Sequence, residues 1–258
     1  MLLNTLTYDG PETVPLVIAH GLFGSARNWN VIAKRLSDSR PVMAVDMRNH
    51  GDSPHDTDNS YAALAGDLAD VIDSLGGRAD VLGHSMGGKA AMMLALQTPA
   101  LLRHLIIADI APVRYGHSQI SVINAMRAVD LTQVTRRSDA DTQLAAHIAE
   151  PALRAFLLQS LIIGDGPARW KLALEVLADQ MPEIIGFPDI SHTSDTPAVF
   201  LRGGASDYVD GASADAALAL FPKGRVETMP GLGHWLHAED PRGFEAAIRA
   251  ALDESPSP

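Results

Sequence analysis

The sequence predicts an α/β fold: a mostly parallel sheet with helices on both faces and one helical insertion. Three observations carry that reading. Short apolar runs of strand character alternate with amphipathic stretches of helical period as far as Ala108, an order that lays successive strands in parallel with helices packed on both faces. Strand character is then lost between 113 and 195 and returns at Pro197-Ala198-Val199-Phe200-Leu201. Within the first half, a strand passes into a helix through Gly83-His84-Ser85-Met86-Gly87, where two glycines remove side chains for which so sharp a turn has no room.

Leu2 to Tyr8 alternates as a strand does, and Asp9-Gly10-Pro11 turns it toward the buried run Leu16-Val17-Ile18-Ala19. His20-Gly21-Leu22-Phe23-Gly24-Ser25 follows as a glycine-rich loop. Trp29, Ile32, Ala33 and Leu36 recur at helical spacing and predict a helix over 28–36, and Val42 to Asp46 is the next strand. Met47 to Pro54 reads as a polar loop, and Tyr61 to Leu75 as an amphipathic helix closed by Gly76-Gly77. Ala79 to Leu82 is the strand that enters the Ser85 turn. Ala90 to Gln97 consists of good helix formers, Pro99 stops it, and Leu101 to Ala108 is a strand ending at Asp109.

Within the insertion, apolar residues mark four helical segments with no strand between them: Ile120, Ile123 and Met126; Leu144 and Ile148; Leu153, Phe156, Leu157 and Leu161; Trp170, Leu174 and Leu177. Pro182, Phe187-Pro188 and Ser191 to Thr196 have the composition of a loop leading out. The chain is therefore divided into a core of 1–112 and 196–258 and a helical cap of 113–195, inserted after the sixth strand. After the strand at Pro197 come a helix from Ala212 to Phe221, a last strand at Val226-Glu227-Thr228-Met229, and a glycine-flanked loop carrying His234. A helix from Pro241 to Leu252 closes the fold and 254–258 is a tail.

The 258 residues, 47% of them apolar, suffice for one large domain with an insertion. With 31 acidic against 20 basic residues and a formal net charge of −11, nucleic acid and anionic membranes are unsuited partners. The absence of cysteine excludes disulfides, thiolate nucleophiles and cysteine metal sites, and is compatible with a reducing cytoplasm. Met1 to Gly10 lacks the pattern of an export signal, and no run of about 18 apolar residues occurs. The expectation is a cytoplasmic protein, and nothing in the sequence sets an oligomeric state.

The chemistry centres on Ser85. A serine hydroxyl at neutral pH is a weak nucleophile and needs a base within hydrogen-bond reach, held in one tautomer by a third group. His234, after the last strand, is the candidate base. The acid has two candidates: Asp207, in the turn after the strand that follows the cap, and Asp109, at the end of the strand before it. Backbone N–H groups of Leu22, in the glycine-rich loop, and Met86, at the helix start, are positioned to hold an oxyanion. Phe23, His84 and Trp235 flank these elements, and Met126, Phe156 and Trp170 lie in the cap; all six are candidate substrate contacts, the cap residues having cap core as their alternative. Arg48, Lys89 and Arg114 could form a basic patch near the pocket. His234 and His237 lie at i, i+3, but no further ligand cluster accompanies them, so no metal site is expected.

His20 to Ser25, Asp46-Met47-Arg48-Asn49-His50-Gly51, Gly83 to Lys89, Asp109-Ile110-Ala111-Pro112-Val113 and Gly233-His234-Trp235 together resemble the YbfF-type esterases, a branch of the α/β-hydrolase superfamily with related mitochondrial members. The resemblance covers nearly the whole chain and is least diagnostic in the cap. It implies an α/β-hydrolase fold and a cofactor-free serine esterase acting on small-molecule esters or thioesters with short to medium acyl groups. It also implies an acid at Asp109, with Ser206 near the histidine; this chain carries Asp207 as well, where the family often has an uncharged residue. Serine at the elbow disfavours the aspartate-dependent dehalogenases and epoxide hydrolases of this architecture. Lactonase, carbon–carbon bond hydrolase and perhydrolase chemistries share the same triad, and a non-catalytic, receptor-like binding module shares the fold.

Overall fold

In this computed structural model, which describes residues 1–164 and 166–253, the apolar alternation resolves into one seven-stranded sheet. In chain order the first half holds β1 (Thr5–Tyr8), β2 (Leu16–Ala19), α1 (Asn30–Leu36), β3 (Val42–Val45), α2 (Tyr61–Ser74), β4 (Ala79–His84), α3 (Met86–Gln97) and β5 (Leu102–Ala108). The insertion holds α4 (Ile120–Arg127), α5 (Arg137–Leu144), α6 (Pro151–Leu157), β6 (Leu161–Ile162), β7 (Arg169–Trp170), α7 (Leu174–Asp179) and α8 (Met181–Ile185). The core resumes with β8 (Ala198–Gly203), α9 (Gly211–Leu220), β9 (Gly224–Met229), α10 (Leu236–Glu239) and α11 (Pro241–Asp253). The expected tail, 254–258, lies outside the described residues.

The strand order is β1-β3-β2-β4-β5-β8-β9, with β1 antiparallel to β3 and every other pairing parallel. Period-two alternation divides the side chains between the faces. Val17, Val81, Leu105 and Phe200 pack with α2 and α3, whereas Ile18, Leu82, Ile106 and Leu201 pack with α1 and α11. Parallel register brings Ala19, His84, Ala108 and the end of β8 to one edge, the edge where sites form in such sheets.

The insertion departs from expectation in three respects. It follows the fifth strand rather than the sixth, because the five apolar runs up to Ala108 each form one strand and no sixth run precedes the insertion. Its third and fourth helical segments are separated by the β6–β7 hairpin, in which Leu161 pairs with Trp170; two-residue strands are too short to register as alternation. α8 begins at Met181, inside the expected exit loop, because Pro182 occupies the first helical turn, where its missing N–H costs no hydrogen bond. Ile123, Met126, Leu144, Leu157 and Leu177 are buried in the cluster that also holds Leu64, Leu68 and Ala90, so cap and core share one apolar interior. No helix among the described residues is long and apolar enough to cross a membrane.

Candidate active site

Ser85 takes φ 51° and ψ −120° between β4 and α3, a conformation costly for a residue with a side chain and maintained only where its surroundings enforce it. The enforcement is legible in the glycines. A Cβ on Gly83 would lie 2.4 Å from the Gly87 carbonyl oxygen, and one on Gly87 would lie 2.4 Å from that of Ala19. The Ser85 N–H donates to the Ala108 carbonyl at 3.1 Å, pinning the turn to β5. Met86, Gly87 and Gly88 then begin α3 with N–H groups that lack intrahelical partners.

Asp109 leaves β5 with φ 51° and is wholly buried. Its N–H is held by the Leu201 carbonyl at 2.8 Å. Oδ1 accepts the Gly203 N–H at 2.8 Å, and Oδ2 accepts both the Ser206 hydroxyl and the His234 Nδ1–H at 2.8 Å. The neutral imidazole therefore carries its proton on Nδ1 and leaves Nε2 free to accept one. Tyr208 stacks on the ring at 3.8 Å and 17°, and the His234 carbonyl accepts the His84 Nε2–H at 2.9 Å. Burial, with His234 and His237 nearby, holds His84 well below the usual histidine range, so it stays a neutral donor. Asp207, one residue past Ser206, is exposed and makes no hydrogen bond or ion pair among the described residues.

The glycine-rich loop is shaped by two buried histidines. The Met47 N–H donates to His20 Nε2 at 2.9 Å, and His20 Nδ1–H donates to the Gly21 carbonyl at 2.8 Å. The Phe23 N–H donates to His50 Nε2 at 3.2 Å, and burial pushes His50 down to about 3. Asp46 ties the same loop to the sheet, accepting the N–H groups of Ala26 at 2.7 Å and Asp52 at 2.9 Å and the Asn4 amide at 2.7 Å. Burial raises its pKa, yet these donors hold it below the usual carboxylate range.

Ser85 stands where two cavities meet. The larger, about 270 Å³, is lined by Phe23, His84, Ser85, Phe156, His234 and Trp235 among others. The smaller, about 50 Å³, runs beneath α8 and is lined by Met86, Ile110, Met181, Ile184 and Ile185. Leu22, Ser85, Gln119 and Tyr208 border both. Ser85 and His234 thus share a cavity wall without a direct hydrogen bond among the described residues, a looseness common before substrate binds.

Two of the cap residues expected at the pocket are elsewhere. Met126 is inaccessible within the cap core, and its carbonyl accepts the Trp170 Nε1–H at 3.2 Å; neither lines either cavity. Of the three residues that could form a basic patch, Lys89 alone lines a cavity, the smaller one, and the charge of each is engaged elsewhere. Arg48 makes a buried two-pronged pair with Asp67 at 2.6 and 2.9 Å, Lys89 is enclosed by carbonyls, and Arg114 donates to the Pro182 carbonyl. His237 stacks on Trp29 at 4.3 Å beneath the His234 loop. Gln119 and Tyr208 escaped the sequence reading; the one available signal was that Tyr208 lies two residues past Ser206 at a strand's carboxyl end.

Comparison with known proteins places these features in context. Residues 16–247 match the Alpha/beta hydrolase family. The chain is 41% identical over 254 residues to the sn-1-specific diacylglycerol lipase ABHD11 of Mus musculus, covering 95% of this chain and 83% of that one. It is 40% identical over 244 residues to Esterase YbfF of Escherichia coli K12, covering 93% of each. Among solved structures, a marine microorganism esterase superimposes with a TM-score of 0.92 at 36% identity, covering 96% of this chain and 98% of the other.

Proposed function

The chain belongs to the alpha/beta hydrolase family, and from that premise we propose that it is a serine hydrolase cleaving short to medium acyl carboxylic esters through an acyl-serine intermediate. The single observation that carries this reading is His234, paired with the buried Asp109 at 2.8 Å and lining the same cavity as Ser85 on its strained turn. Esterase and lipase relatives support it independently.

In the proposed reaction, His234 Nε2 takes the Ser85 proton as Oγ attacks the ester carbonyl, and the buried Asp109 carboxylate stabilises the resulting imidazolium. Leu22 and Met86 N–H groups receive the oxyanion, helped by the positive end of the twelve-residue α3. The imidazolium then protonates the departing alcohol. Water, deprotonated by the same nitrogen, attacks the acyl-serine and releases the acid. We assign the first carbons of the acyl group to the smaller cavity, of roughly 50 Å³, which favours the short end of that range, and the alcohol to the larger one under Phe156 and Trp235. The cysteine-free composition supports action in the cytoplasm.

Hydrolysis of p-nitrophenyl butyrate by wild type, Ser85→Ala, Asp109→Asn and Asp207→Asn tests the assignments. Ser85→Ala should be inactive, and Asp109→Asn should lose up to ~10⁴-fold in kcat while Asp207→Asn stays near wild type. Equal, slight losses in the two aspartate variants would remove Asp109 from the triad.

A further inference from the structure

Lys89 stands one helical turn beyond Ser85 on α3, and its side chain is almost wholly enclosed. Its Nζ donates to three carbonyls: Val113 at 2.8 Å, Ile185 at 3.1 Å and Gly186 at 2.6 Å. Val113 belongs to the segment by which the chain leaves β5 for the cap, and Ile185 and Gly186 end α8, where it begins its return to the sheet. One ammonium thus closes on both roots of the insertion. The roots also bond to each other, the Tyr115 N–H donating to the Ile185 carbonyl at 2.9 Å.

The last carbonyls of a helix have no intrahelical donor and carry partial negative charge. Core side chains supply what α8 lacks. Tyr61 of α2 donates to the Ile184 carbonyl at 2.6 Å, and Lys89 takes the next two. The ammonium also lies 4.7 Å from the centre of the Tyr115 ring and 5.7 Å from that of Tyr61, a setting in which aromatic faces favour a cation. No carboxylate pairs with it among the described residues. Burial, with Arg114 nearby, pushes the ammonium down to about 7, so this placement is costly and rests on the carbonyls it satisfies.

The position of α8 matters because Met181, Ile184 and Ile185 form one side of the small recess beyond Ser85, which Lys89, Tyr61 and Tyr115 line from the core side and the cap root. We propose that Lys89 is a positioning residue that sets acyl-chain selectivity: by holding the end of α8 and both cap roots against the nucleophile helix, it fixes the depth of that recess. The proposal rests on the assignment of the acyl group to the recess. Without the ammonium, the Val113 and Gly186 carbonyls lose their donor and the Ile185 carbonyl keeps only the Tyr115 N–H, so that α8 moves outward and longer acyl chains gain room.

The test is kcat/KM on p-nitrophenyl acetate, butyrate and octanoate for wild type, Lys89→Met, Tyr61→Phe and Ser85→Ala, with thermal unfolding of each. A single methylene in an apolar pocket is worth about tenfold, so the octanoate-to-acetate ratio should rise about tenfold or more in Lys89→Met, and by a smaller factor in the same direction in Tyr61→Phe. A ratio unchanged in both variants, or an equal loss on all three esters, overturns the role of Lys89. If Lys89→Met fails to fold, the ratio in Tyr61→Phe decides alone, an unchanged value overturning the proposal. A wild-type enzyme that prefers octanoate to acetate overturns the recess assignment instead, and residual activity in Ser85→Ala overturns the nucleophile.

Discussion

The carboxyl edge of the sheet and the cap above it are held by different forces. At the edge, polar groups are fixed one by one: Asp109 accepts three donors and Asp46 three more, and His20 and His50 each receive a backbone N–H. The cap is held chiefly by apolar packing continuous with the core, with hydrogen bonds at its roots and at three further points, where the Ala173 N–H meets the Asn49 carbonyl at 3.0 Å, Lys171 meets Asp52 at 2.5 Å and the Asn28 amide meets Gln159 at 2.6 Å. Directional bonds specify atomic positions, whereas packing specifies volume and tolerates exchange of similar side chains. The edge is therefore suited to fix the reaction and the cap to fix the range of substrates.

Substitutions should separate the two regions. The largest effect is expected at the elbow. Gly87→Ala places a Cβ against the Ala19 and His20 carbonyls and should cost ~10²-fold or more in kcat, as misplacement of about 1 Å at a reacting group does; near-normal turnover would show the turn to be more yielding than its contacts imply. Next comes Ser206→Ala, which removes one donor from the buried Asp109 carboxylate. Hydrogen bonds to charged groups are worth about 1.5–3 kcal/mol, so kcat should fall roughly tenfold to a hundredfold with KM little changed, and an unchanged kcat would make this contact dispensable.

In the cap, Phe156→Ala should alter KM and the preference among alcohol groups more than kcat, since its ring faces Trp235 across the larger cavity at 6.3 Å. A kcat loss rivalling that of Ser206→Ala would blur the division. Acid acts on stability rather than on turnover. The histidines held below their usual range, His20, His50, His84 and His237, all belong to the core. For His50, at about 3, and His237, at about 4, the unfolded chain binds protons near 6.5 while the folded chain does not. Their contribution is complete above that pH and is lost as pH falls toward 4 and then 3, by at most ~1.4 kcal/mol per histidine per pH unit. Chemical denaturation at stepped pH should show this decline, and a flat profile from 6.5 to 4 would contradict their buried, neutral state.

The sheet was legible in the sequence because its strands alternate and its turns carry glycine, and the elbow because Gly83 and Gly87 have no other residue that fits. The choice between Asp109 and Asp207 was not legible from residues alone. Both follow strands at the carboxyl edge, and what separates them is side-chain direction: the positive φ of Asp109 turns its carboxylate toward His234, whereas Asp207 faces solvent. Apolar spacing likewise misled at Trp170, which has helical neighbours in sequence but pairs across a hairpin, and Pro182 hid a helix whose first turn it occupies. The contacts of Tyr208 and Gln119 arise from chain crossings far apart in sequence.

The central claim is that Ser85 itself carries the acyl group. Its most direct test is to treat the protein with one equivalent of an active-site-directed fluorophosphonate, whose P–F bond breaks as a serine oxygen bonds to phosphorus, and to locate the adduct by peptide mass spectrometry. The account predicts one adduct per chain, on Ser85, with labelling strongly slowed in His234→Ala. An adduct on a different residue, or labelling as fast in His234→Ala as in wild type, would contradict it.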